Sequence, residues 1–143
     1  MKYKRFYLND CQKEKAVEAI KNILYGLPEI LFAYIHGSFT CGKEFRDIDI
    51  ALYLREEVLR DRIIDYEIEI EIKVEDALKY PVDVRVLNCA PLSFQYWVIK
   101  GGILLFERDG ESRVDFQAKT LDFYFDFAPF RKRYMKEMIG FGD

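Results

Sequence analysis

Histidine and closely spaced cysteines are nearly absent from the sequence. His36 is the only histidine, and the three cysteines, Cys11, Cys41 and Cys89, are far apart in a chain of 143 residues. A structural zinc site needs four nitrogen or sulfur ligands, commonly at short spacings such as Cys-x-x-Cys. An odd number of scattered cysteines is also not typical of a disulfide framework. We therefore expect free thiols in a reducing, cytoplasmic environment and no structural zinc.

Long hydrophobic runs and an excess of positive charge are also missing. No uninterrupted apolar stretch approaches the roughly 20 residues that span a bilayer, and none follows the basic start at 1–7. We therefore expect neither a membrane span nor a signal peptide. The formal net charge is −3 at pH 7, whereas general nucleic-acid binders usually have a clear excess of Lys and Arg. Direct nucleic-acid binding is therefore not expected.

The length and the hydrophobic patterns predict a single α/β domain over 1–143. Its core is expected over about 11–108, followed by a helical extension over about 111–140 that breaks near Pro129. Within the core, the patterns and turn signals predict a helix over 11–25, strands over 30–35, 47–54, 82–87 and 103–106, and a short helix that ends near 100.

The segment 56–79 gives two conflicting signals. Apolar and charged residues alternate strictly from Ile64 to Glu75, which is the period of a strand. However, twelve residues is long for a strand, no turn residue occurs between Arg55 and Lys79, and the flanking Glu, Lys, Leu and Ala residues favour a helix. We predict a helix over this segment, in particular over 62–76, with apolar side chains on two of its faces.

The stretch 34–53 contains the strongest candidate for a functional site. Asp47 and Asp49 are two residues apart at the start of a predicted strand, so their carboxylates should project from the same face. Adjacent carboxylates repel each other unless a cation lies between them, and Mg²⁺ prefers such oxygen ligands. Gly37 and Ser38, just upstream, form a turn in which backbone N–H groups can approach a phosphate. This pattern indicates a site for a metal and a nucleotide.

Asp83 is a third candidate ligand. It lies between Val82 and Val84 in a predicted strand whose apolar side chains face a core. If this strand pairs with the one that contains Asp49, three carboxylates converge, which is enough to hold two Mg²⁺ ions around a triphosphate. We interpret His36, in contrast, as a core or strand-end residue.

Together these residues resemble the signature of the DNA polymerase β-like nucleotidyltransferase superfamily. That signature is a glycine followed by Gly or Ser, then two aspartates separated by one residue, then a distal aspartate on a following strand. Further segments are similar to the minimal nucleotidyltransferase (MNT) branch, and in particular to the antitoxins that are paired with HEPN ribonuclease toxins. These segments are 81–84, 87–91, 101–109 and 124–127.

The resemblance implies a mixed sheet of about four strands flanked by helices, with a C-terminal helical extension. It also implies Mg²⁺-dependent use of ATP, with two ions, and transfer of AMP to a tyrosine of a partner HEPN toxin. Asp47, Asp49 and Asp83 would be the catalytic and metal-binding residues. Gly37, Ser38, Lys43 and Arg46 would bind the nucleotide.

Two other functions remain open at this point. The protein could be an antitoxin that neutralises its partner by direct binding, with a nucleotide site that is inactive or only binds nucleotide. It could also be a nucleotidyltransferase for a small molecule, although the short chain lacks an evident second substrate domain. The sequence leaves both a homodimer and a hetero-oligomer possible.

Overall fold

The computed structural model describes residues 4–58 and 62–139, and in these ranges helices and strands alternate along most of the chain. The helices are α1 Asp10–Tyr25, α2 Ser38–Cys41, α3 Ile63–Leu78, α4 Leu92–Gly101, α5 Gly110–Asp126 and α6 Ala128–Ile139. The strands are β1 Phe6–Tyr7, β2 Ile30–His36, β3 Glu44–Phe45, β4 Ile48–Leu54, β5 Val82–Val86 and β6 Ile103–Glu107. Over the described residues, no helix combines the length and apolar character that crossing a membrane requires.

Four of the strands form one mixed sheet in the order β5-β4-β2-β6. The β2–β4 and β2–β6 pairs are antiparallel, and the β4–β5 pair is parallel. A parallel pair needs a long crossover connection, which here contains α3. The predicted mixed sheet of about four strands flanked by helices is therefore confirmed. A separate short pair, β1 with β3, adds a strand within the N-terminal segment.

The two faces of the sheet are covered by different helices. On one face, Ile50 and its neighbours pack in the larger core, to which α1 and α3 contribute. On the other face, Ala51 packs with Val98 of α4 and Phe116 of α5. Because successive strand residues point to opposite faces, Asp49 shares the α4 and α5 side of the sheet with Ala51.

Helix α3 confirms the predicted helix over the alternating segment. A pattern of period two on a helix divides into rows of residues spaced four apart, and each row occupies its own side of the helix. One apolar row packs on the sheet, since Ile70 and Val74 are buried, and the other apolar row is exposed. The apolar rows are 66, 70, 74 and 64, 68, 72; the charged rows are 67, 71, 75 and 65, 69, 73.

One charged row of α3 covers the edge of the sheet. Strand β5 is an edge strand, so the backbone N–H groups on its outer side have no strand partner. Glu67, Glu71 and Glu75 each accept one of these N–H groups, from residues 86, 84 and 82, at 2.8–2.9 Å. The alternation of apolar and charged residues in α3 therefore places one apolar row in the core and one row of carboxylates along the outer edge of β5.

The structure differs from the predicted elements at two points. The strand predicted over 47–54 begins at Ile48, so Asp47 lies just before it. The segment predicted as a Gly-Ser turn and a polar loop contains the short helix α2 and the strand β3. Helix α2, over Ser38–Cys41, begins directly after Gly37. The break predicted near Pro129 is confirmed, since Phe127 separates α5 from α6.

Candidate active site

Three neighbouring strands bring ionisable side chains into one row across the sheet. In the parallel β4–β5 pair, Asp49 lies opposite Asp83. In the antiparallel β2–β4 pair, His36 lies opposite the same Asp49. Residues that are directly opposite in adjacent strands project from the same face, about 5 Å apart. His36, Asp49 and Asp83 therefore form a row on the side of the sheet that α4 and α5 partly cover.

The carboxyl groups at this row are strongly coupled. Asp47 and Asp49 are half-buried, and their side chains share a hydrogen bond. Burial raises the pKa of Asp49 to about 6, and the negative charges of Asp47 and Asp83 contribute to the rise, while Arg46 opposes it. Such coupling arises where like charges are concentrated in a partly desolvated place. The site therefore favours a proton or a cation between its carboxylates.

Gly37 allows the loop to approach Asp49 closely. Its φ is +81°, in a region that residues with a side chain rarely adopt, and a Cβ there would lie 2.0 Å from Oδ2 of Asp49. Helix α2 begins directly afterwards at Ser38, which is half-buried. The Lys13 side chain of α1 fixes this segment, because its Nζ donates to the carbonyl oxygens of Phe39 and Gly42 at 2.8 and 2.7 Å. The loop thus has a fixed position against the carboxylates.

The predicted cationic residues differ in their relation to the site. Arg46 is exposed, and its charge acts on Asp49. Lys43 is exposed as well, but it is not among the charges that influence Asp49. Arg85 forms an ion pair with Asp83, with 3.7 Å between its Nε and Oδ2 of the aspartate. Sequence analysis did not assign Arg85, although its position two residues after Asp83 in a strand places both on one face.

His36 is another residue of the site that the sequence alone did not link to the carboxylates. Its ring lies edge-on to Phe94 of α4, with 5.5 Å between the ring centroids. Its Nε2 atom is buried and has no hydrogen-bond partner in the described structure. Burial lowers the pKa of His36, although Asp83 and Asp47 act in the opposite direction. The prediction of a strand-end position is correct, but no local pattern links His36 to Asp49, because that link is present only in the register of β2 with β4.

The carboxylates suit Mg²⁺ better than a metal held only by protein. Among the residues that the structure describes, no three His, Cys, Asp or Glu side chains are grouped as a ready metal centre. Mg²⁺ is usually bound by one or two carboxylates and completes its shell with water and substrate phosphates. The Asp47–Asp49 pair fits that requirement, since its concentrated negative charge raises the pKa of Asp49.

Comparison with known families agrees with this geometry. The family model described as polymerase beta nucleotidyltransferase matches residues 18–111, which include the whole row and the glycine loop. The chain belongs to this nucleotidyltransferase family. A search of curated proteins gave no significant match.

Solved structures with the same fold include several toxin–antitoxin complexes. One contains a tri-AMPylated Shewanella oneidensis HEPN toxin with its MNT antitoxin; the TM-score is 0.72 and the identity 23%, over 89% of this chain and 98% of that chain. The MntA-HepT toxin–antitoxin has a TM-score of 0.71 and 22% identity, over 88% and 98%. A toxin–antitoxin with AMP-PNP has a TM-score of 0.70 and 24% identity, over 92% and 99%. At these identities the similarity establishes a shared fold.

Proposed function

We propose that the protein is a Mg²⁺-dependent nucleotidyltransferase that transfers AMP from ATP to the hydroxyl group of a tyrosine on a partner HEPN toxin, and thereby acts as its antitoxin. The observation that supports this most directly is the register that places Asp49 opposite Asp83, next to Asp47. These carboxylates beside a glycine loop would, together with Mg²⁺ and the substrate phosphates, supply the positioning and charge neutralisation that nucleotidyl transfer requires.

The residues of the chain have separate roles in this reaction. The acceptor oxygen bonds to the α-phosphorus, the bond from that phosphorus to the pyrophosphate oxygen breaks, and pyrophosphate leaves. Asp83 accepts the hydroxyl proton, and the loop at Gly37 and Ser38 holds the phosphates. Asp47, Asp49 and Asp83 would hold two Mg²⁺ ions, which neutralise the triphosphate when they are bound. Arg46 is the candidate for an additional phosphate contact.

The related complexes are the basis for proposing a HEPN toxin as the acceptor. One relative of the same fold is an MNT antitoxin bound to a HEPN toxin that is AMPylated, and another was solved with AMP-PNP. Those properties belong to the relatives, and we propose the same partner and the same nucleotide for this chain. The acceptor would need a hydroxyl group that can reach the row at Asp49 and Asp83.

The test is transfer of label from α-labelled ATP to the protein encoded next to this one, taken as the candidate HEPN toxin. We expect Mg²⁺-dependent labelling that falls by at least 100-fold in Asp47→Asn and in Asp83→Asn, since each removes a carboxylate from the reacting centre. Asp122→Asn, an exposed position on α5, is the matched control and should label the toxin normally. Labelling that persists in Asp83→Asn would contradict the proposed catalytic role.

A second function, neutralisation by direct binding, is favoured by a separate observation. Four aromatic side chains, which are at least half exposed, continue at helical spacing from α5 into α6: Phe123, Phe127, Phe130 and Tyr134. An exposed row of this kind is typical of helices that dock in an apolar groove. In this case the toxin should stay neutralised with Asp47→Asn and Asp83→Asn but become active with the double variant Phe130→Ala, Tyr134→Ala.

A further inference from the structure

The outer side of α3 has a row of exposed isoleucines. Ile64, Ile68 and Ile72 are 69%, 47% and 61% exposed, although each could have been polar without any effect on the core. They follow one another at four-residue spacing, so they form a continuous apolar strip along the helix. Charged side chains line one margin of this strip: Arg62, Asp65, Glu69, Lys73 and Asp76.

The spacing of the isoleucines suits an antiparallel copy of the same helix. In a two-fold symmetric pair, residue i of one helix contacts residue j of the other, and j contacts i. If the two-fold axis passes Glu69, isoleucines from the two helices alternate along the contact. Their order is Ile64, Ile72 of the second copy, Ile68, Ile68 of the second copy, Ile72 and Ile64 of the second copy. Successive side chains are then two residue positions apart, or about 3 Å along the helix. The six side chains interleave evenly in this register.

The charges favour one of the two registers that the isoleucine spacing allows. With the axis at Glu69, Asp65 lies opposite Lys73 of the second copy, and Arg62 lies opposite Asp76 of the second copy. The other register that interleaves the isoleucines has its axis at Glu67, and it would place Asp65 against Glu69 of the second copy. In an antiparallel pair the same margin of each helix meets itself, so these oppositions are real neighbours. The apolar spacing thus limits the pair to two registers, and the charge order favours the one with its axis at Glu69.

We propose that the protein forms a two-fold symmetric dimer in which the α3 helices of two copies pack antiparallel about Glu69. A contact of two helices is small, below about 1,200 Å² in total, so the dimer should dissociate reversibly on dilution. Asp76 also pairs with Lys79 of its own chain at 3.8 Å, in an exposed ion pair, so Asp65 with Lys73 is the more decisive pair. The dimer leaves the row at Asp49 accessible, because α3 packs on the opposite face of the sheet.

The contact between the two Glu69 side chains gives the proposal a distinctive signature. At the axis, Glu69 lies opposite itself, which is an unfavourable pair within the charged margin described above. Glu69→Gln removes that repulsion and should strengthen the dimer by a few-fold. A surface that binds an unrelated partner has no reason to respond in this direction.

The experiment is sedimentation equilibrium of the full chain over a range of concentrations, with circular dichroism to confirm that each variant folds. Ile68→Glu should weaken the dimer at least 10-fold, whereas Val114→Glu, an equally exposed helix position on α5, should not. Lys73→Asp should weaken it about 2- to 30-fold through two broken ion pairs. The double variant Asp65→Lys, Lys73→Asp should restore it, because the exchanged charges meet again across the axis.

The outcomes separate this proposal from the alternatives. A monomer at all concentrations, or a dimer that the double exchange does not restore, would overturn it. Loss of toxin binding in Ile68→Glu with an unchanged oligomeric state would assign the strip to the partner protein instead. Activity in the labelling assay is a separate readout, so a dimer that labels nothing would contradict only the proposed function.

Discussion

The ionisation state of Asp49 depends strongly on its surroundings. Its pKa is raised to about 6 by burial and by the neighbouring carboxylates, above the ordinary value of about 3.9. The folded state therefore binds a proton more tightly than the unfolded state does. The resulting stabilisation is present below about pH 4 and is lost as the pH rises to about 6 and above.

Asp49→Asn should consequently stabilise the fold at neutral pH. An amide cannot ionise, and it can donate a hydrogen bond to Asp47. Because solvent screens this half-buried group, the gain in the free energy of unfolding at pH 7.5 without Mg²⁺ should be only about 1–2 kcal/mol. At pH 4 the variant and the wild type should differ little. Urea denaturation at the two pH values measures this, and Asp122→Asn, on the exposed side of α5, is the control. An equal effect at both pH values would contradict the electrostatic explanation.

Gly37 is a second residue of the site where one added atom, a Cβ, would disturb the structure. Gly37→Ala puts a Cβ within 2.0 Å of Oδ2 of Asp49 and strains a backbone with φ of +81°, so the loop or the carboxylate has to move. We expect a loss of about 1–3 kcal/mol of stability and at least a 10-fold loss of nucleotidyl transfer. Gly101→Ala is the matched control, because a Cβ there meets nothing within 4 Å.

At the scale of elements, α3 shows both what the sequence predicts and what it does not. The helix itself was predicted from the Glu, Lys and Ala at the flanks, from the absence of turn residues and in part from the resemblance to the MNT branch, against the period of two. The roles of its four rows were not, because they depend on which edge of the sheet the helix lies beside. The same limit applies to His36, whose place beside Asp49 depends on a strand register that no local pattern contains.

The row of glutamates on α3 gives the prediction for this scale. Glu71→Ala leaves the N–H group of Val84 without its partner at 2.9 Å, and a lost hydrogen bond to a charged group is worth about 1.5–3 kcal/mol. Glu71→Gln keeps an acceptor oxygen and should lose clearly less. Thermal unfolding of both variants measures the difference. Equal losses would mean that the carboxylate acts through its charge and not as an acceptor.

At the scale of the whole molecule, Arg108 joins segments that are far apart in the sequence. Arg108 comes directly after β6. Its side chain donates hydrogen bonds to the carbonyl oxygens of Tyr25, Leu27 and Ile30, at 2.7–3.2 Å, around the connection of α1 to β2. Its guanidinium also lies over the Tyr25 ring, 4.4 Å from the centroid. The arginine thus fixes the last strand of the sheet to the first helix.

Arg108→Ala should therefore destabilise the protein more than an ordinary surface substitution. We expect a loss of about 2–4 kcal/mol, because three carbonyl groups lose a charged donor. Arg108→Lys restores a charge but not the planar fork, so it should recover only part of that loss. Chemical denaturation of both variants gives the values. A loss below about 0.5 kcal/mol in Arg108→Ala would show that water replaces the arginine without penalty.

The glutamates along β5 also determine where the sheet can be extended. A sheet usually recruits a further strand at an unpaired edge, from another protein or from an identical chain. The outer N–H groups of β5 are already occupied by carboxylates, so a strand arriving there would have to displace a whole helix. Growth of the sheet by strand addition is thus confined to its opposite border, at β6.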